Sequence, residues 1–150
     1  MIIFPPQEFI TWTDTLTQFP WPIQLNDFPP YAEKLGWKPT SLPNEFTVFP
    51  DNDYEFTTLS SSEIGDVYKL FLYMAVNDLK NDEGAAELND HLVACVAAGK
   101  KAWGEPFLLE AGDDPTATWR FPGDMFTQVT GGSRAVLFRF FTPQGQWYFA

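Results

Sequence analysis

The chain carries one cysteine and one histidine in 150 residues, and only nine lysines and arginines against twenty acids. A lone thiol closes no disulfide within the chain, so Cys95 fits a reducing compartment. A single histidine and a single cysteine fall short of the ligand set that zinc requires. The shortage of bases removes the electrostatic footprint of a nucleic-acid binder. A net charge of −11 also repels anionic membrane surfaces. Long apolar runs are missing too: the longest, Leu70 to Val76, is far shorter than the ~20 residues of a membrane helix. Met1 to Pro6 has no basic start and is broken by two prolines, which is unlike a secretion signal. The expectation is a cytoplasmic protein that stays off membranes.

Aromatic residues are plentiful: 15 Phe, 6 Trp and 5 Tyr. Such a composition builds a core, whereas disordered chains are poor in aromatics. At this length a chain buries roughly 70% of the surface its unfolded form exposes. One domain spanning residues 1–150 is expected, with no repeat or linker to divide it.

Phe9, Trp12, Leu16 and Phe19 recur at helical spacing between Pro5-Pro6 and Pro20, which predicts a helix over 7–19. The alternating threonines 11, 13, 15 and 17 offer a competing strand pattern, but the aromatic stripe is continuous. A short helix follows over 29–35, capped by Asn26 or Asp27 and stopped by Gly36. The period then changes to two. Strands are expected over 46–49, 54–59 and 66–76, the last with Tyr68, Leu70, Leu72, Met74 and Val76 on one face. Its other face is also largely apolar, which places it centrally. Residues 83–103 read as the longest helix, with Leu88, Leu92, Cys95, Val96 and Trp103 in one stripe and acids in its first turns. After a loop over 110–115, strands over 117–121, 125–130, 135–142 and 146–149 are separated by short turns that impose antiparallel pairing. The order of elements is α+β: an antiparallel meander sheet of about six to seven strands with helices packed on one face.

Catalytic equipment is sparse. His91 and Cys95 lie one helical turn apart, but Cys95 sits on the apolar stripe, which favours core packing over a nucleophile. The paired acids Asp51/Asp53, Asp82/Glu83 and Asp113/Asp114 fall in turns or at a helix start, where Asp is favoured for local hydrogen bonding. Asp51-Asn52-Asp53 lacks the glycine and the later glutamate of a calcium loop. Gly131-Gly132-Ser133-Arg134 lies between strands and does not end as a phosphate-binding loop does. No cofactor and no metal is expected.

What remains is the distribution of charge. Between Lys38 and Lys69 lie Glu45, Asp51, Asp53, Glu55, Glu63 and Asp66 without a base among them. Glu105, Glu110, Asp113 and Asp114 form a second such stretch. Uncompensated charge on a folded surface costs stability by self-repulsion, and a basic partner relieves it. The candidate contact residues are therefore Asp51, Asp53, Glu55, Glu63, Asp66, Glu110, Asp113 and Asp114, with Tyr54 and Trp21 as aromatic anchors.

Two stretches, Pro20 to Trp37 and Gly99 to Pro122, resemble a family of small actinobacterial proteins encoded near secreted polymorphic toxins. The shared features are Leu35-Gly36-Trp37, Trp103-Gly104-Glu105-Pro106 and Trp119-Arg120. The resemblance implies a cytoplasmic immunity protein that binds a cognate toxin domain, expected to be basic, and blocks its active site. It carries over no catalytic residue. One rival is an acidic secretion chaperone that offers an apolar sheet face (Phe71, Tyr73, Leu137, Phe141). Another is a hydrolase built on a carboxylate pair, which requires a cleft with two convergent acids.

Overall fold

The structure is a computed structural model that describes residues 2–49, 52–78 and 80–149. Its helices are α1 (Pro6–Thr17), α2 (Pro29–Lys34) and α3 (Asp82–Trp103). The strands are β1 (Ile2–Ile3), β2 (Lys38–Pro39), β3 (Glu45–Phe49), β4 (Asn52–Ser61), β5 (Val67–Val76), β6 (Leu108–Glu110), β7 (Thr116–Phe121), β8 (Met125–Thr130) and β9 (Ala135–Phe141). All pair antiparallel in one open sheet ordered β2-β3-β4-β5-β9-β8-β7-β6, with β1 also on β5. The α+β class and the meander are as expected. The three short strands β1, β2 and β6 are additional; two or three residues leave too little periodicity to detect.

One face of the sheet carries the helices. Pro6 occupies the first helical position of α1, where its missing N–H costs nothing. Phe9, Trp12 and Leu16 then point inward and are buried. The competing threonine pattern resolves within the helix: Thr13 is buried and its hydroxyl meets that of Thr127 at 2.9 Å. Thr15 instead bonds back to the Thr11 carbonyl. In α3, Asn81 caps the N-terminus by accepting from the Gly84 N–H at 2.7 Å. Gly99 lets the helix approach the Trp119 ring, whose nearest atom lies only 2.5 Å from where a Cβ would stand. Neither Asn26 nor Asp27 caps α2, which starts from Phe28 without a side-chain cap. Gly36, at φ +78°, does stop it.

β5 is central, between β4 and β9. Its alternation is broken twice, by bulges opposite Ser60/Ser61 and between Tyr73 and Ala75. Each bulge inserts a residue and switches the face that follows. Val67, Leu70, Leu72, Met74 and Ala75 are therefore the buried residues. Tyr68 turns to the other face, where it meets Trp147, and Val76 is only half-buried.

The largest correction concerns the C-terminus. The stretch 146–149 is not a strand; Pro143–Phe149 is a 3-10 helix. Thr142 turns the chain. Its hydroxyl donates to the Val67 carbonyl at 2.8 Å and accepts from the Gln144 N–H at 3.2 Å. The short helix then crosses the sheet face opposite α1 and α3, stacking Phe149 on Phe126 and Tyr148 on Phe141. Phe126 and Phe141 are buried beneath it. That choice covers Phe126 and Phe141 and half-buries Phe149, removing apolar surface from water that an edge strand would have left exposed.

Candidate functional site

The sheet face bearing the C-terminal helix holds the most developed site. Register across the strands places Tyr73, Leu137, Thr130, Thr116 and Glu110 in one row. The next row is Phe71, Arg139, Gln128, Thr118 and Leu108. Between them lies an open concavity of about 520 Å³, closed at one end by Gly131 to Arg134 and at the other by Tyr148.

Its floor is polar and ordered by a relay of hydrogen bonds. Arg139 Nη1 donates to Gln128 Oε1 at 3.3 Å and to Thr130 Oγ1 at 3.4 Å. Gln128 Nε2 donates to Thr118 Oγ1 at 3.1 Å. Thr116 Oγ1 donates to the Asp114 carbonyl at 3.0 Å, so it accepts from the Thr130 hydroxyl 3.1 Å away. Gln128 and Thr118 are buried, although they lie on the face away from the helices. Buried polar groups of this kind must be satisfied, and a satisfied network fixes its members in place.

Around the floor are exposed rings. Tyr73, Phe107, Trp147 and Tyr148 are each 46–61% exposed, and Leu108 is 39% exposed. Phe107 packs on Phe126, and Tyr148 on Phe141, so the rings share one surface. A second concavity of about 390 Å³, lined by Phe107, Leu108 and Phe149, adjoins the first across Glu110, Gln128 and Tyr148.

The acids expected to make contact do not form one surface. Glu110 and Asp114 line the larger concavity, and exposed Asp113 lies beside it. Glu63 is exposed and Asp66 half-buried in the turn between β4 and β5, at the opposite end of the sheet. Tyr54 and Glu55 lie on β4, as expected, and Asp53 lies on β4 as well rather than in a turn. Their stretch shares an end with Asp114 but lies five strands from β6, a separation of roughly 24 Å. Their side chains, and Asp51 altogether, lie outside the described residues. Trp21 is a core ring; its indole donates to the Leu16 carbonyl at 2.9 Å and it stacks on Phe28. Of the apolar face read as a chaperone groove, Phe141 is buried, Phe71 and Leu137 are half-buried, and only Tyr73 is exposed. Glu110 and Asp114 share a cleft, yet both are exposed to water.

His91 and Cys95 do meet, with Sγ 3.6 Å from Nε2, and both are buried. Among the described residues no group of His, Cys, Asp and Glu is arranged to hold a metal. Burial pushes the Cys95 thiol up to about 12, so it should stay unreactive to thiol reagents at neutral pH until the protein unfolds. Burial also lowers the His91 pKa from its ordinary 6.5. The unfolded chain therefore takes up that proton first on acidification. Stability should fall as pH drops below about 6.5, and level once the folded-state pKa is passed. Denaturation midpoints of the wild type and of His91→Gln across pH 4 to 8 check this. The wild-type curve should be the steeper one from pH about 6.5 down to the folded-state pKa of His91.

The sequence profile of a family of unknown function, DUF6301, matches residues 7–142. The chain belongs to that family. No curated protein and no solved structure matches this DUF6301 chain. The matched span includes every strand of the polar floor and stops just before the C-terminal 3-10 helix that contributes Trp147 and Tyr148. Among the described residues of this DUF6301 chain, no helix is long and apolar enough to cross a membrane.

Proposed function

We propose that this protein is a non-catalytic inhibitor that binds a basic secreted toxin domain, in the manner of an immunity protein, and occludes its active site. The supporting observation is the sheet face on which exposed Tyr73, Phe107, Trp147 and Tyr148 lie beside the exposed acids Glu110, Asp113 and Asp114. Exposed aromatics concentrated on one surface are the usual anchors of a protein interface. Acids at their rim, on a chain of net charge −11, steer a basic partner and speed its arrival. The occupant is thus a cationic protein surface, seated on the sheet and not on the helices.

The test uses the protein encoded beside this one, purified alone and mixed with it. An equimolar amount should abolish the toxin's activity; full activity within a stable complex would favour the chaperone reading instead. Trp147→Ala with Tyr148→Ala should weaken binding about 30-fold or more, as loss of a ~2 kcal/mol hot spot does. Reversing Glu110, Asp113 and Asp114 to lysine should slow association about tenfold at low salt and have little effect at high salt. Wild-type binding in both variants would remove this face from the interface.

A further inference from the structure

Arg139 is the feature of this face that an acidic surface does not explain. It is half-buried on β9 between Phe138 and Phe140, both of which turn into the core. Its Nη1 is held by Gln128 and Thr130. Among the described residues, no acceptor meets its Nη2 or Nε hydrogens, and no carboxylate pairs with it. Arg134 lines the same concavity, also without an ion pair among the described residues. Two of the chain's nine basic residues therefore converge on one cavity. The relay through Gln128, Thr118, Thr130 and Thr116 fixes the orientation of the guanidinium before anything binds.

We propose that this concavity is a receptor for a single carboxylate, carried on an acidic side chain of the bound protein and gripped by Arg139 with help from Arg134. This deepens the functional proposal above and rests on its reading of the face as the partner's seat. A planar guanidinium with free N–H groups on one side matches a carboxylate bidentately, and a pre-oriented one gives up less entropy in doing so. The class of anion follows from charge. Glu110 and Asp114 line the same cavity and cancel the formal charge of the two arginines, so the attraction comes from the open side of the Arg139 fork, and an anion is repelled less by those acids the smaller its charge. A phosphate dianion meets those acids and the field of the whole chain. Tyr73 and Tyr148 flank the opening and supply apolar walls for the stem of a glutamate or aspartate. A toxin that is basic overall would then carry one acid placed to enter, and that acid would fix the register of the complex and select among related toxins.

The test needs no toxin. The full chain is titrated with N-acetyl-glutamic acid amide, with the neutral N-acetyl-glutamine amide, and with inorganic phosphate. The Arg139 Nε–Hε and Gln128 side-chain amide resonances are followed by NMR. The glutamate probe should give saturable shifts at both groups, at least tenfold tighter than either comparison probe. Gln128→Glu, which places a carboxylate on Arg139 from within, should abolish the response. Arg139→Lys keeps the charge but loses the fork, and should weaken it at least tenfold; its folded state is checked by the dispersion of the spectrum. Equal response to the glutamine amide, tighter binding of phosphate, wild-type response in both variants, or no saturable shift would each overturn the proposal. None of these outcomes bears on whether the toxin is inhibited. Conversely, glutamate binding with no inhibition of the toxin would leave the receptor standing and remove only the partner.

Discussion

Phe9→Ala should lower the free energy of unfolding by about 4 kcal/mol, the cost of emptying a buried phenyl site that cannot collapse. Phe9 is fully buried in α1, and its ring meets Trp103 of α3 at 5.3 Å, Phe138 of β9 at 5.6 Å and Trp119 of β7 at 6.0 Å. It is where both long helices and two strands come together, so truncation leaves all four facing a void. Those neighbours are rings with few rotamers and little freedom to close the gap. In a domain of this size the loss corresponds to a fall in Tm of roughly 8–16 °C. Urea unfolding monitored by fluorescence measures it. A cost below about 1 kcal/mol would show that the site relaxes and that the helices are held elsewhere.

Gly145→Ala should be the next most damaging change, although it adds only a methyl group. Gly145 is buried in the C-terminal 3-10 helix, and a Cβ there would run into the carbonyl oxygen of Tyr68, with the Phe141 ring 3.5 Å away. A side-chain tip can swing aside, whereas the backbone of a central strand cannot. The helix must lift from the sheet instead, at a cost of about 2–3 kcal/mol from overpacking. The same movement takes Trp147 and Tyr148 off the face and uncovers Phe126 and Phe141. Affinity for the proposed partner should therefore fall with stability, a coupling that Phe9→Ala should not show at temperatures where that variant stays folded. Denaturation and binding measured side by side on the two variants separate the effects. Equal binding losses would argue against a structural role for the C-terminal helix in the interface.

Much of the fold was legible because it depends on period and punctuation. The aromatic stripe of α1, the capped and charge-biased α3, and the hairpin turns among β7, β8 and β9 each carry a local signal that tertiary packing reinforces. The errors lie where non-local contact decides. The Trp147-Tyr148-Phe149 run alternates with nothing, and β propensity alone makes it a strand; Thr142 commits it to a 3-10 turn through bonds to Val67 and Tyr68, far away in sequence, and Gly145 permits the close approach to the Tyr68 backbone. The bulges of β5 were hidden for a similar reason, since a bulge is a property of two strands and only one is visible in a pattern. The candidate site fared worse. Runs of acid drew attention to loops that the sheet then spread across both ends. The informative residue was Arg139, a lone charge at an outward position of a strand otherwise built from Ala, Val, Leu and Phe. A positive side chain there, in a chain so short of them, was the signal that reasoning from net charge passed over.

The sheet is two meanders, β2 to β5 and β6 to β9, joined along the single seam where β5 meets β9. Every other pairing along that order links neighbours in sequence; this one brings Leu70 opposite Phe140, with α3 and three hairpin connections in between. Tyr73 reaches the concavity from one side of the seam and Arg139 from the other. A slip of one residue there would turn Arg139 toward the helices and Phe138 and Phe140 to water. The polar cavity thus exists only in molecules whose two meanders have found their proper alignment, and assembling it is a late reward of folding, not a local one.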